Sequence, residues 1–219
     1  MATRQVLAEL LLDYERHSGR AVVIEPVGGV DAARRVLAGE SLDVVVLASE
    51  AIDKLIAAGR IVSGSKVDLV RSGVAVCVRA GTPHPDIASE EALRGAVRAA
   101  ATIGYSTGPS GVALARLFEQ WGIAGEVGPR TVQAPAGVPV GSLVARGEVA
   151  LGFQQLSELL NLEGVDVVGP LPAAVQIITI FSGGLCAASA RGEDVRLLLE
   201  YLAGPGATSA KHRHGMAPA

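Results

Sequence analysis

The segment Ser106-Thr107-Gly108-Pro109-Ser110-Gly111 carries residue types and spacing suited to holding a small anion. It follows an apolar run, residues 99–104, that reads as a buried strand. It precedes residues 112–121, whose apolar positions recur at helical spacing. A strand, a loop of hydroxyls and glycines, then a helix start aims backbone N–H groups and the positive helix end at one point. Glycine lets a ligand approach the backbone closely, and the hydroxyls of Ser106, Thr107 and Ser110 add donors. The same residues also suit a plainer role, with Ser110 as an N-cap and the glycines as turn formers. No nucleophile, base or metal ligand stands beside the segment.

The elements that must position this loop alternate along the chain. Val6, Leu7, Leu10, Leu11 and Tyr14 mark one face of a first helix, ended by Gly19. Residues 22–25 read as a strand, and residues 32–38 as a helix stopped by Gly39. Residues 42–47 form a continuous apolar run of strand length, hence an expected buried parallel strand. A helix over 50–58 closes at Gly59, and residues 74–78 form another strand. Ser89 is placed to cap a helix reaching Ala100, with Glu90 and Glu91 in its first turn. Beyond the loop, the pattern predicts a strand at 130–133, a helix at 138–146 and a strand at 149–153. Strands at 165–168, 175–181 and 185–188 follow, then a helix over 193–202 stopped by Gly204-Pro205-Gly206. The tail from Lys211 reads as frayed. Such alternation predicts an α/β fold with largely parallel sheets and ligands at strand carboxyl ends. The first helix alone lacks a leading strand.

Composition removes several classes of function. The 19 Lys and Arg against 22 Asp and Glu give a net charge of −3 with no basic stripe, so no nucleic-acid partner is expected. Cys77 and Cys186 each lie in an apolar run and read as buried thiols, a disulfide between them staying open. Four histidines include none at metal-site spacing, so neither a metal nor another cofactor is expected. His17 sits at a helix end, where a cation suits the dipole. No apolar stretch approaches the ~18 residues of a membrane span, and Met1 leads straight into an amphipathic helix without a signal peptide.

Five segments, the opening loop among them, carry a resemblance. Gly39-Glu40 with residues 42–49, residues 67–74 with Val78-Arg79-Ala80-Gly81 and Pro85-Asp86-Ile87, and residues 104–111 come first. Gly147 through Leu159, containing Phe153-Gln154-Gln155-Leu156-Ser157-Glu158-Leu159, and Gly164 through Pro172 complete the series. In order and spacing these resemble periplasmic solute-binding proteins of the molybdate-binding type, over nearly the whole chain. The forms around Gln154 and Val168-Gly169-Pro170-Leu171-Pro172 are most similar to a branch that includes aconitate isomerase. The resemblance implies the two-lobed, type II periplasmic-binding-protein fold, closing around an anion. It implies one lobe of residues 1–75 with 182–219 and a second of 76–181. Crossings are then expected near 72–76 and 179–184, where Gly183-Gly184 permits bending. Family members usually begin with a secretion signal and a first strand. The opening Met1-Ala2-Thr3 looks like the downstream half of the loop after that strand, so the first strand of lobe 1 is expected to be missing. By resemblance the location is periplasmic, with a cytoplasmic one left open by the absent signal.

The candidate ligand-binding residues lie in loops at strand ends. Ala2 and Thr3 open the first helix, with Thr3 a donor or only a cap. Gly28 and Gly29 precede the second helix and read chiefly as a turn. Ala48 and Ser49 follow the apolar run, Ser49 again a donor or a cap. Arg71 can grip a carboxylate through two parallel hydrogen bonds, or sit at the surface of a strand entrance. Ser106, Thr107, Ser110 and Gly111 form the central loop. Val138, Pro139 and Val140 match the family's fourth contact, where a backbone N–H donates; Val140 can, and Pro139 cannot. Gln154 and Gln155 end a strand where molybdate binders carry a Tyr. An amide offers donor and acceptor together, which suits a carboxylate or hydroxyl better than a bare oxyanion. Glu158 is available as a general base or as an exposed residue on a short helix.

The resemblance thus implies a protein that captures a small anion, a molybdate-like oxyanion or small carboxylate, and delivers it to the membrane subunits of an ABC-type importer. An isomerase of a small unsaturated polycarboxylate is the alternative, and needs a base to move a proton. A ligand-sensing domain would want a DNA-binding helix pair, which is not visible.

Overall fold

Glycines and one serine punctuate the helices. In the computed structural model, which describes residues 1–219, α1 (Arg4–Ser18) buries Val6, Leu7, Leu10, Leu11 and Tyr14. It stops where Gly19 takes φ 68° and donates its N–H to the Glu15 carbonyl at 2.9 Å. Next come α2 (Gly29–Leu37), β1 (Val44–Ala48), α3 (Ser49–Ala57) and the long β2 (Val67–Arg79). α4 (Glu90–Ala99) begins at Ser89, whose Oγ accepts the Ala92 N–H at 3.1 Å, the predicted cap. β3 (Ile103–Tyr105), α5 (Pro109–Gln120), α6 (Ala124–Val127), β4 (Thr131–Gln133) and α7 (Val140–Ala145) follow. Then come β5 (Leu151–Gln155), α8 (Leu156–Leu159), β6 (Val165–Pro170), β7 (Ile178–Leu185), α9 (Gly192–Ala203), α10 (Thr208–Arg213) and β8 (Met216–Pro218).

The chain forms two compact units, Met1–Ser72 with Thr179–Ala219, and Gly73–Ile178. In the first unit β1 pairs antiparallel with β7, Val46 opposite Gly183; β7 neighbours β2, and β8 pairs antiparallel with Val70, Arg71 and Ser72. Both faces of β1 are covered. Val45 and Leu47 pack with Val36 of α2 and Ile52 and Leu55 of α3. Val44 and Val46 pack on the cluster built by Leu7 and Leu10 of α1 and Leu198 and Leu199 of α9. This two-sided cover is why the strand reads as an unbroken apolar run.

In the second unit β2 pairs antiparallel with β5 and β6, while β3 pairs parallel with both β4 and β5. Val74, Val76 and Val78 face Leu93 and Val97 of α4 and Leu114 and Phe118 of α5. The alternate residues Ala75 and Cys77 face Val140, Leu143 and Val144 of α7. Glycines bring α7 close to the sheet. A Cβ at Gly104 would lie 2.8 Å from Val149 Cγ1 and 2.9 Å from Val140 Cγ1; one at Gly152 would lie 2.6 Å from Val144 Cγ2.

Several expectations are corrected. Residues 22–25 form no strand: no neighbouring ladder pairs with them, Val22 N–H bonds instead to Glu15 Oε1 at 2.7 Å, and Val23 is 91% exposed. β1 is antiparallel to its neighbour, not parallel, because periodicity reports burial and not direction. The sheets are not largely parallel, since β1–β7, β2–β5, β2–β6 and β2–β8 all run antiparallel. The run 99–104 is divided, Ala99 ending α4 before β3 begins at Ile103. Residues 175–188 hold one strand, β7, in place of two. Gly183 also allows close packing, since a Cβ there would meet Leu199 Cδ2 at 2.3 Å. The tail is not frayed: Lys211 is 1% exposed in α10, and Met216 pairs with Ser72. Cys77 and Cys186 are free buried thiols, so they form no disulfide.

Candidate anion site

Parallel pairing of β4, β3 and β5 brings the carboxyl ends of three strands to one edge of the second unit. From that edge the chain turns into α5 after β3, toward α7 after β4, and into α8 after β5. This is where α/β sheets place ligands.

The turn after β3 is tightly built. Gly108 is the N-cap of α5 and Pro109 its first residue, so Ser110 is not the cap. Ser110 is 8% exposed, and its Oγ lies 3.4 Å from Ser106 Oγ, a hydroxyl pair at the helix start. Gly111 N–H bonds to the Gly108 carbonyl at 3.0 Å. A Cβ on Gly111 would sit 1.8 Å from the Ser106 carbonyl oxygen, so the loop rests directly on this glycine. Ser106 is half-buried and Thr107 exposed.

Strand alternation separates the two glutamines. Gln155 lies opposite Val74, on the face covered by α4 and α5, and Gln154 opposite Ala75, on the α7 face. Both are buried, at 4% and 3% exposure. The Gln154 amide is held at both ends: Oε1 accepts the Gly141 N–H at 2.9 Å, and Nε2 donates to Glu158 Oε2 at 2.6 Å. Val140, fully buried, opens α7 just ahead of Gly141. Burial raises the pKa of Glu158 above the usual carboxylate range, with the Gln154 hydrogen bond opposing it. Glu158 is therefore half-buried and hydrogen-bonded, not an exposed residue on a short helix.

The other candidates belong to the first unit. Ala2 is 7% exposed within the α1 cluster, and Thr3, at 9%, is the N-cap of α1 without a side-chain capping bond. Ala48 ends β1 opposite Phe181 and is the N-cap of α3, leaving Ser49 as that helix's first residue and not its cap. Arg71 is exposed in β2 opposite Ala217. Gly28 is the N-cap of α2 and Gly29 its first residue.

Sequence reasoning missed two residues. Gly141 supplies the N–H that fixes Gln154, and Ser157 buries an Oγ with no hydrogen-bond partner. The spacing of four between Gln154 and Glu158, one helical turn, was the available signal for their pairing.

A hydroxyl pair at a helix start beside the carboxyl ends of parallel strands is a frame in which α/β proteins hold small ligands. The whole of residues 1–217 matches the family of bacterial extracellular solute-binding proteins, and the chain belongs to that family. It is 40% identical over 185 residues to an aconitate isomerase from Pseudomonas sp, an alignment spanning 84% of this chain and 70% of that protein. The fold is that of the periplasmic binding proteins. The Azotobacter vinelandii periplasmic molybdate-binding protein superposes with TM-score 0.81 at 20% identity, over 99% of this chain and 95% of that one. A tungstate-binding protein from Desulfovibrio alaskensis superposes with TM-score 0.70 at 13% identity, over 97% and 92%.

Proposed function

We propose that this protein captures a small carboxylate anion at the carboxyl ends of β3 and β5, using uncharged donors. The Ser106–Ser110 hydroxyl pair, set by a loop that tolerates no side chain at residue 111, carries this reading. Such donors stabilise negative charge without bringing a cation that would hold it too firmly to release. The carboxyl of Glu158, held by the Gln154 amide, favours a ligand with a proton to donate over a bare oxyanion. Family membership supports the further reading that the bound anion is delivered outside the cytoplasm to the membrane subunits of an ABC-type importer.

A second reading, an isomerase of a small unsaturated polycarboxylate, is favoured by Glu158 together with the 40% identical aconitate isomerase. In that reaction a base removes a proton from carbon beside a carboxylate, the double bond shifts, and a proton returns to another carbon. A half-buried carboxyl of raised pKa suits both the removal and the return.

Calorimetric titration with citrate, trans-aconitate, molybdate and sulfate tests the first reading. Carboxylate binding is expected, and failure of every anion overturns it. Following trans-aconitate by ultraviolet absorbance tests the second: turnover supports it, and binding without turnover rejects it. The first-unit candidates Thr3, Ser49 and Arg71 are tested by the same titration of their alanine variants.

A further inference from the structure

We infer that Glu158 sets ligand choice, selecting anions that carry their own hydrogen-bond donor over anions that only accept. This rests on the proposed carboxylate site at the strand ends of the second unit.

Glu158 stands on α8, immediately beyond the carboxyl end of β5. Its hydrogen-bond donor in the fold is an uncharged amide, Gln154 Nε2 at 2.6 Å. That amide cannot turn over. Its oxygen must face the Gly141 N–H, so its NH2 group must face the carboxyl. One Glu158 oxygen is thereby engaged, and the other is an acceptor with no proton of its own when ionised. A ligand hydroxyl or a protonated carboxyl supplies the proton that this oxygen lacks. A ligand made only of acceptors meets a like charge in surroundings drier than water, where repulsion is strong. The serine hydroxyls at the start of α5 attract any anion, and Glu158 decides among them.

Citrate and tricarballylate isolate this effect, because they share three carboxylates and differ by one hydroxyl. In the wild-type protein, citrate is expected to bind at least ~10-fold more tightly than tricarballylate, and molybdate more weakly than either. In Glu158→Gln the new amide oxygen accepts from Gln154, turning its NH2 toward the ligand and replacing an acceptor with a donor. The citrate preference should fall by ~10-fold and molybdate binding should rise. Glu158→Asp keeps the charge and should keep the rejection of molybdate. Equal wild-type affinities for the three ligands overturn the inference without any variant, as does an unchanged preference in a folded Glu158→Gln protein. Carboxylates that bind with no such preference leave the proposed function standing. Absence of all anion binding removes both.

Discussion

Gly111 lies within a helix, where alanine is ordinarily the better residue by ~1 kcal/mol. Gly111→Ala is nonetheless expected to be harmful. The added methyl would approach the Ser106 carbonyl oxygen to 1.8 Å, the Ser106 carbonyl carbon to 2.8 Å and Tyr105 Cδ2 to 3.1 Å. Ordinary contact begins near 3.4 Å, so the loop must move by about 1.6 Å from main chain that has no rotamer to change. Overpacking of this kind costs about 1–3 kcal/mol, and a main-chain obstacle belongs at the upper end. For a unit of this size, ~3 kcal/mol lowers the melting temperature by roughly 12–24 °C. If the loop gives way instead, the Ser106 and Ser110 hydroxyls separate, and a displacement above ~1 Å removes on the order of 100-fold in function. Circular-dichroism melting and citrate titration of one preparation read both routes. Gly125→Ala is the control, since nothing lies within 4 Å of its Cβ and its melting temperature should hold or rise. A Gly111→Ala protein with unchanged melting temperature and unchanged affinity would refute the packing argument, and with it the fixed loop.

Other perturbations have expected signs. Ser89→Ala removes the acceptor for Ala92 N–H and should cost ~1 kcal/mol, read as a lower urea midpoint. Lys211 is 1% exposed, its Nζ has no hydrogen-bond partner, and burial holds its pKa below the usual value; Lys211→Met should raise stability by about 1–3 kcal/mol in the same assay. Cys77 is pushed up to about 12 and Cys186 to about 11 by burial, so a thiol reagent at neutral pH should label neither until denaturant is added. Hydrogen bonds from Arg213, then His214, hold the Glu9 carboxyl below its usual range. Its folded pKa is the lower one, so its contribution is present above the unfolded value and lost as pH falls through the folded value. Melts between pH ~3 and ~6 should show a flatter acid limb in Glu9→Gln than in wild type.

What the sequence discloses here is local. Gly19, Gly39 and Gly59 all take positive φ just past their helices, because only glycine enters that region without strain. Ser89 caps as its spacing requires. The central loop is equally legible, since strand, glycines, hydroxyls and helix follow within a dozen residues. Pairing is not local. Val22 and its neighbours have strand composition, yet a strand exists only with a neighbour to bond, and none accompanies them. The run 42–47 shows cover on both faces but is silent on the direction of β7, more than a hundred residues later. The Gln154–Glu158–Gly141 chain escapes a residue-by-residue reading for a like reason: Gly141 gains its role only when α7 packs on β5.

The split of the first unit matters most during synthesis. Gly73–Ile178 is contiguous, so that unit has its full sequence before Thr179–Ala219 is translated. Leu7 and Leu10 of α1, by contrast, must wait for Leu198 and Leu199, made after the whole of the second unit. During translation α1 therefore lacks its α9 partner while the contiguous middle portion is already able to collapse. The first unit closes only after the second has its full sequence.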